Sequence, residues 1–335
     1  MTPALHALLP AHRTVEVDGV VLAEVYSSVA AEVAATRSRA GLFDLTHHGV
    51  LQLLGPDARR WTNGQFTNNV RALPVGRMNQ HAMVDDKARI QGLLDLWCVE
   101  DQRFLAVLNG VTPEAFSARY ERFIIFDDVE LTDESAAWAL LSVQGPDAAA
   151  ALGGLPAPTV EGEVASADGV WIARRARTRA GGYDLLVPHD RVAEVAGALG
   201  AVPVGFAAQE VLRIEAGYPR WPVDMGEKAL PHEMRVVERM CNFEKGCYIG
   251  QEVINRIDVM GQVAKKVWGL ELAGMPAPHA PVRLDGAEVG WTLSAAVDGE
   301  HVRALAILRK AAWTPGAVVQ VDGVGDARVV DLPFP

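Results

Sequence analysis

Apolar and polar positions alternate in short blocks along most of this chain, and two of the blocks nearly repeat. VLQLLGPDA begins at Val50 and LLSVQGPDA at Leu140, so Gly-Pro-Asp-Ala stands at 55–58 and again at 145–148, ninety positions on. Each copy follows a strand-length apolar run and precedes a helix-like one. The pattern predicts a strand, a tight Gly-Pro turn, an aspartate helix cap and a helix, twice over. Either an internal duplication or the frequency of Gly-Pro-Asp in turns accounts for the echo. After the first copy, 93–99 and 104–109 read as neighbouring strands joined by a charged turn at 100–103. Residues 112–123 read as a helix, with Thr112 as cap, Pro113 in the first position and Glu114 in the first turn. Helices and strands mixed over roughly the first 240 residues predict an α+β region.

The last seventy residues change character. Runs at 266–272, 281–284, 287–295, 302–308 and 318–321 read as short strands. The pairs Asp285-Gly286, Asp298-Gly299 and Asp322-Gly323 punctuate them. Asp-Gly between apolar runs favours hairpin turns, and several at short spacing predict a small antiparallel barrel. The boundary falls near 255–265, which divides the chain into 1–258 and a C-terminal 259–335.

With 335 residues, half of them hydrophobic and 22% charged, the chain has ample material for a buried core, and its length suggests two or three domains. A net charge of -11 makes the surface repel phosphate backbones, which disfavours nucleic acid as a partner. Only a local patch of Arg71, Arg77, Lys87 and Arg89 runs the other way. The N-terminus shows no basic start followed by a long apolar run, so no signal peptide is expected. The longest near-apolar stretch, 195–209, holds Pro203 and three glycines and is too short to span a bilayer. No membrane association is therefore expected. Three cysteines are few and odd in number, which disfavours a disulfide framework and favours a reducing, cytoplasmic setting.

One of those cysteines sits in KGCYIGQE, residues 245–252. A thiol reacts as its thiolate. Lys245, two residues from Cys247, and the backbone N–H groups of a helix opening at Gly250-Gln251-Glu252 would both favour that form. The alternative is a buried, inert cysteine beside a turn. Metal binding has little support, because Cys241 is six residues away and no histidine follows at a ligand spacing.

KGCYIGQE closely resembles the signature of the YgfZ-type folate-binding proteins, a family related to the glycine-cleavage T-protein, an aminomethyltransferase. The fixed positions are met by Lys245, Gly246, Cys247, Tyr248, Gly250, Gln251 and Glu252, and Arg256 and Gly261 resemble the arginine and glycine that usually follow. The resemblance extends to AGLFDLTHHGVLQLLGPDARRWTNGQFTNNV from Ala40, to LRIEAGYPRWPVDM from Leu212, and to Leu230-Pro231-His232-Glu233. It implies a GcvT-like α+β fold. Two related modules form a folate-binding region around a central opening, and a C-terminal antiparallel β-barrel completes the chain. The implied cofactor is tetrahydrofolate or a derivative. The implied role is support of iron–sulfur protein assembly or repair, with iron–sulfur proteins or their assembly machinery as partners. Cys247 would then do thiol chemistry at the mouth of the opening, aided by Lys245, while Gln251, Glu252 and Arg256 position a partner or a small group.

A pterin ring needs a carboxylate or amide at its amino edge, flat cover for its faces, and a cation near its glutamate tail. By family match the residues for this are Asn109, Arg213, Glu215 and Asp224. Tyr183 with Asp184 resembles a Gly-Tyr-Glu segment, and Trp221 is placed to cover a ring. Arg213 and Glu215 have a plainer alternative, an internal ion pair. His47 and His48, if on a strand, would point to opposite faces, with one of them towards the cavity. Two departures weaken the T-protein chemistry itself. Gly92 or Leu93 stands where its catalytic aspartate would fall, and Ala180 replaces a glutamate. Asp85, Asp86 and Asp95 are nearby but out of register. Folate-dependent aminomethyl or methyl transfer is therefore the alternative reading. A third is a binding module without chemistry, for instance a partner of RNA-modifying enzymes.

Overall fold

The computed structural model describes Leu5, residues 8–261 and residues 263–335. A hairpin of β1 (Arg13–Val17) and β2 (Val20–Val25) leads into α1 (Val29–Ser38) and β3 (Gly41–Asp44). The first repeat unit follows, with β4 (Gly49–Leu54), α2 (Ala58–Gln65), β5 (Arg77–Val84), β6 (Ile90–Glu100), β7 (Arg103–Asn109), α3 (Pro113–Tyr120) and β8 (Glu130–Asp133). The second unit holds β9 (Trp138–Gln144), β10 (Val164–Ala167), β11 (Val170–Arg174), β12 (Gly182–Pro188), α4 (Val192–Ala198) and β13 (Val202–Val204). Helices α5 (Phe206–Glu215), α6 (Val237–Met240) and α7 (Gln251–Met260) cross to the C-terminal part. There β14 (Lys265–Leu272), β15 (Pro281–Leu284), β16 (Ala287–Asp298), β17 (His301–Arg309), β18 (Val318–Val321) and β19 (Gly325–Val330) form a closed antiparallel barrel.

The two units build matching sheets, ordered β5-β6-β7-β4-β8 and β10-β11-β12-β9-β3-β13. Strands β4 and β9, which carry the sequence echo, occupy equivalent places. Each unit lends its leading strand to the other: β3 precedes β4 in sequence but pairs with β9, and β8 precedes β9 but pairs with β4. After both strands the repeated glycine turns the chain with φ of +140° at Gly55 and +133° at Gly145. A Cβ at either would lie 2.2–2.3 Å from a backbone carbonyl, of Asp128 or of Arg39, so only glycine fits.

Side chains alternate across each strand. In β9, Leu140 faces a central core, whereas Ala139, Leu141 and Val143 face the outer layer of the second unit. In β4, Val50 faces the centre, and Leu51 and Leu53 face the layer under α2 and α3. The central core also takes Val267, Leu305, Ile307 and Phe334 from the barrel, so all three parts share one apolar interior.

The echo diverges past the turn. Asp57 stands at the N-cap of α2, but its carboxylate makes no cap bond; it accepts the Asp128 backbone N–H and pairs with Arg60. The second copy continues only into a short 3-10 turn, Ala150–Leu152, with Gly153 ending it at positive φ. The helix expected at 112–123 is α3 with Thr112 as its side-chain cap, followed by a 3-10 turn, Glu121–Phe123. The proposed divide at 258/259 falls within the last turn of α7.

Candidate functional site

A cavity of about 130 Å³ opens between the two sheets, α5 and the segment after it. Helix α5 supplies Phe206, Gln209, Glu210 and Arg213, spaced so that one helical face looks inward. Phe43, Leu45, His47 and His48 come from the end of β3 and the turn after it; Leu93 and Asn109 come from β6 and β7. Arg175, Arg177, Tyr218, Arg220, Trp221 and Arg239 close the ring. Trp221 sits tightly against the end of β7. A Cβ on Gly110, whose φ is +68°, would lie 2.5 Å from the Trp221 carbonyl and 2.9 Å from its ring.

Five arginines thus face a small space, and most are neutralised from behind. Arg175 pairs with Asp95, and Arg177 with both Asp95 and Asp184. Arg213 pairs with Glu210 and with the buried Asp224. Burial opposes the charges of Arg175 and Arg213, but the carboxylates outweigh it and hold both above their ordinary values. Glu210 alone brings a carboxylate to the described lining. Burial would raise it, but Arg213 and Arg220 keep it below its usual range, so it is ionised and already engaged.

The histidines are neutral. Burial, with Arg220 and Arg177 nearby, lowers His47 to about 3. Burial likewise lowers His48, whose Nδ1–H donates to the Leu108 carbonyl. His81 lies outside the cavity and is lowered by burial too; its Nδ1 accepts the Asn68 N–H, and its Nε2–H donates to Asn79. Unfolded histidine titrates near 6.5, so below that pH the unfolded chain takes up protons that these three sites refuse. Stability is full above that pH and falls below it, by up to about 1.4 kcal/mol per pH unit for each histidine. Urea midpoints between pH 7 and 5, above the carboxylate range, should drop accordingly. A flat profile would show that the rings accept protons in place.

The residues expected from sequence fall into separate groups. Asn109, Arg213 and Trp221 line the cavity. Asp224 lies behind it, receiving Arg213 Nη1 at 2.8 Å, the Arg220 N–H at 2.8 Å and the Ser294 N–H of the barrel at 2.7 Å. Glu215 does not join Arg213, because residues two apart on a helix face different ways. It pairs instead with Arg37 of α1 and Arg303 of the barrel. Tyr183 is buried in the outer core of the second unit under the Arg174 guanidinium, and does not line the cavity. His47 and His48 lie in a turn rather than a strand; both line the cavity, with ring centroids 4.3 Å apart. At the departure from the T-protein pattern it is Leu93 that faces the cavity. Gly92 packs on Val111 and Met83, and Ala180 is exposed elsewhere. Arg175, Arg177, Glu210, Phe206 and Arg239 were not anticipated. The cavity-facing spacing within FAAQEVLR was the available signal for those on α5.

The KGCYIGQE segment divides into anchors and presented groups. Lys245 Nζ is buried and donates to the carbonyls of Asn63, Phe66 and Asn68 at 2.6, 2.5 and 2.7 Å. Its ammonium is thus committed to NGQFTNN at 63–69 and not to Cys247. Burial pulls Lys245 down to about 7, against three acceptors that match the three hydrogens of an ammonium. Tyr248 is buried with its ring 4.8 Å from that nitrogen. Gly250 caps α7 at a φ of +80°, and a Cβ there would lie 2.6 Å from the Asp85 carbonyl. Gly246, Cys247, Glu252 and Arg256 are exposed, and Gln251 is half-buried. The other thiols differ: Cys98 is buried, and burial pushes Cys241 up to about 12. Cys247 is exposed and is not among the residues that line the inner cavity. Among the described residues no group of three His, Cys, Asp or Glu could hold a metal ion, and no helix is long and apolar enough to cross a membrane.

Comparison with known proteins adds the following. Residues 10–245 match the family described as GCVT N-terminal domain. An aminomethyltransferase of Rubrobacter xylanophilus is 29% identical, over 96% of this chain and 90% of its own. One of Cutibacterium acnes is 30% identical, over 92% of this chain and 91% of its own. The crystal structure of glycine cleavage system aminomethyltransferase T from Bartonella henselae superposes with a TM-score of 0.89. It covers 99% of this chain and 96% of that one at 23% identity, and so speaks for the fold.

Proposed function

The chain belongs to the GCVT N-terminal domain family, and from that premise we propose that it binds tetrahydrofolate or a derivative in the inner cavity and supports iron–sulfur protein assembly or repair through Cys247. The cavity chemistry carries the folate part. Trp221, Phe206 and Phe43 offer flat apolar cover, Asn109 an amide, and the arginines a cationic wall. Its volume suits a ring system rather than a whole folate. The same lining argues against T-protein catalysis. Amine activation needs a free base near the reacting atom, whereas Leu93 is apolar and Glu210 is held by two arginines. Cys247 supports the partner-directed role, since the neighbouring anchors fix a loop that leaves this one thiol of the three exposed.

Aminomethyl transfer is the second reading, favoured by relatives that carry that name over nine-tenths or more of both chains. Two measurements separate the readings. Titration with tetrahydrofolate should quench tryptophan fluorescence saturably, with a reduced amplitude in Trp221→Phe; no saturable signal would sink folate binding. Assay with a lipoyl-carrier aminomethyl donor should show no turnover, and turnover would decide for the second reading. Cys247→Ser should keep folding and folate affinity while failing to sustain iron–sulfur enzyme activity in cells.

A further inference from the structure

A groove of about 290 Å³ lies outside the inner cavity and shares no lining residue with it. Its walls are the end of α1, with Thr36 and Arg37, the turn at 178–180, and Leu212 and Glu215 of α5. Helix α5 thus serves two hollows: Gln209 and Arg213 line the inner one, Leu212 and Glu215 the groove. The turn ends the run RRARTR at 174–179, which sets four arginines within six positions. Arg175 and Arg177 turn inwards to Asp95 and Asp184. Arg174 and Arg179 do not.

Positive charge on this outer side is left without carboxylates. Arg179 lines the groove and is exposed, and its side chain forms no ion pair or hydrogen bond among the described residues. The same holds for the side chain of Arg39, the exposed residue that closes α1. Arg174 lies over the Tyr183 ring with its guanidinium against Gly181, where a Cβ would come within 3.1 Å of Nη2. Gly181 closes the 178–181 turn by donating to the Thr178 carbonyl, and its own carbonyl accepts the Gly145 N–H; Gly145 in turn packs on the Arg39 carbonyl. The segments that carry these three cations are therefore in direct contact around the groove. The acid that lines it, Glu215, is closed into a ring with Arg37, Asp298 and Arg303, two guanidiniums against two carboxylates. One further polar group is unmet. Thr178 lines the groove and is 3% exposed, and its hydroxyl has no hydrogen-bond partner, which is uncommon for a buried polar atom.

We propose that this groove docks an acidic segment of a partner protein, with one carboxylate pairing with Arg179 and accepting the Thr178 hydroxyl. A guanidinium without a counter-charge and an unbonded hydroxyl on adjacent residues are complementary to a carboxylate. Positive charge continues beyond the groove to Arg39 and Arg174, so the surface matches a chain of acids rather than a single ion. Leu212 gives their methylene stems apolar cover. Nucleic acid is disfavoured by the net charge of -11 and by the carboxylates already set into the groove wall. The surface is independent of what the inner cavity binds.

Titration calorimetry of the full chain at low ionic strength with three probes tests this: a blocked pentapeptide carrying three aspartates, inorganic phosphate, and a single-stranded oligonucleotide. The peptide should bind saturably and most tightly, with an affinity that falls as salt is added. Arg179→Gln should weaken it about tenfold, the low end for a charge-assisted hydrogen bond, and Arg179→Glu should abolish it. Thr178→Val should weaken it by a smaller factor without lowering the urea midpoint. Phosphate bound as tightly as the peptide, with the same dependence on Arg179, would mean a small-anion site and overturn the docking surface. Tighter binding of the oligonucleotide, peptide affinity indifferent to Arg179→Glu, or no binding of the peptide would overturn it equally. Tetrahydrofolate affinity should be unchanged in all three variants, so failure here leaves the folate reading standing.

Discussion

Replacing Asp224 by alanine is expected to cost about 3–5 kcal/mol of folding stability, as removal of one partner from a buried ion pair does. The residue is 2% exposed, and its side chain does three tasks at once. It neutralises Arg213, satisfies the Arg220 N–H ahead of Trp221, and holds the Ser294 N–H of the barrel. Without it a guanidinium remains inside with only Glu210 opposite, and the barrel loses its polar tie to the cavity wall. Urea unfolding should show the midpoint falling, and tetrahydrofolate affinity should fall with it. Asp224→Asn, which keeps an acceptor but not the charge, should lie between. A loss below about 1 kcal/mol for the alanine variant would mean that solvent already reaches Arg213.

Lys245→Met should have an effect of similar size through a different route. Three carbonyls in the 63–69 segment would lose their common donor, and each buried acceptor left unmet costs about 1–3 kcal/mol, partly relieved by relaxation. The 240–250 stretch would loosen from that segment, to which the Asn242 N–H and the Met240 carbonyl also tie it through Thr67. In the wild type, alkylation should be fast at Cys247 and slow at Cys241. In the variant Cys241 should become reactive as well, which peptide mass mapping would read directly. If instead the variant kept its stability and only slowed alkylation of Cys247, Lys245 would be activating the thiol and not anchoring the loop.

The extent to which the sequence disclosed this molecule follows from the range of the forces involved. The barrel was legible because its turns are local: Asp285 and Gly286 both adopt positive φ between β15 and β16, as their residue types permit. The same signal at Asp18-Gly19 joins β1 to β2, and in β19 GDARVV alternates with charges on its open face, which leaves no apolar run to read. The repeat was readable as two strand-turn units, but not the fate of the second copy, whose α-helix is absent. In KGCYIGQE, nearness along the chain misled about contacts. Lys245 looked near Cys247 along the chain, whereas its contacts are some 180 residues away. Arg175, Arg177 and Arg239 converge from distant segments, so no periodicity could group them.

The crossed placement of β3 and β8 bears on biosynthesis. The first sheet can close as soon as β8 emerges, since every partner it needs has already left the ribosome. β3 is made earlier still, yet its neighbours β9 and β13 come long afterwards. During that interval an apolar edge waits unpaired, the kind of segment chaperones retain and proteases find. A nascent chain that stalls between the two units would therefore be marked for disposal by the very strand that, in the finished protein, locks one half to the other.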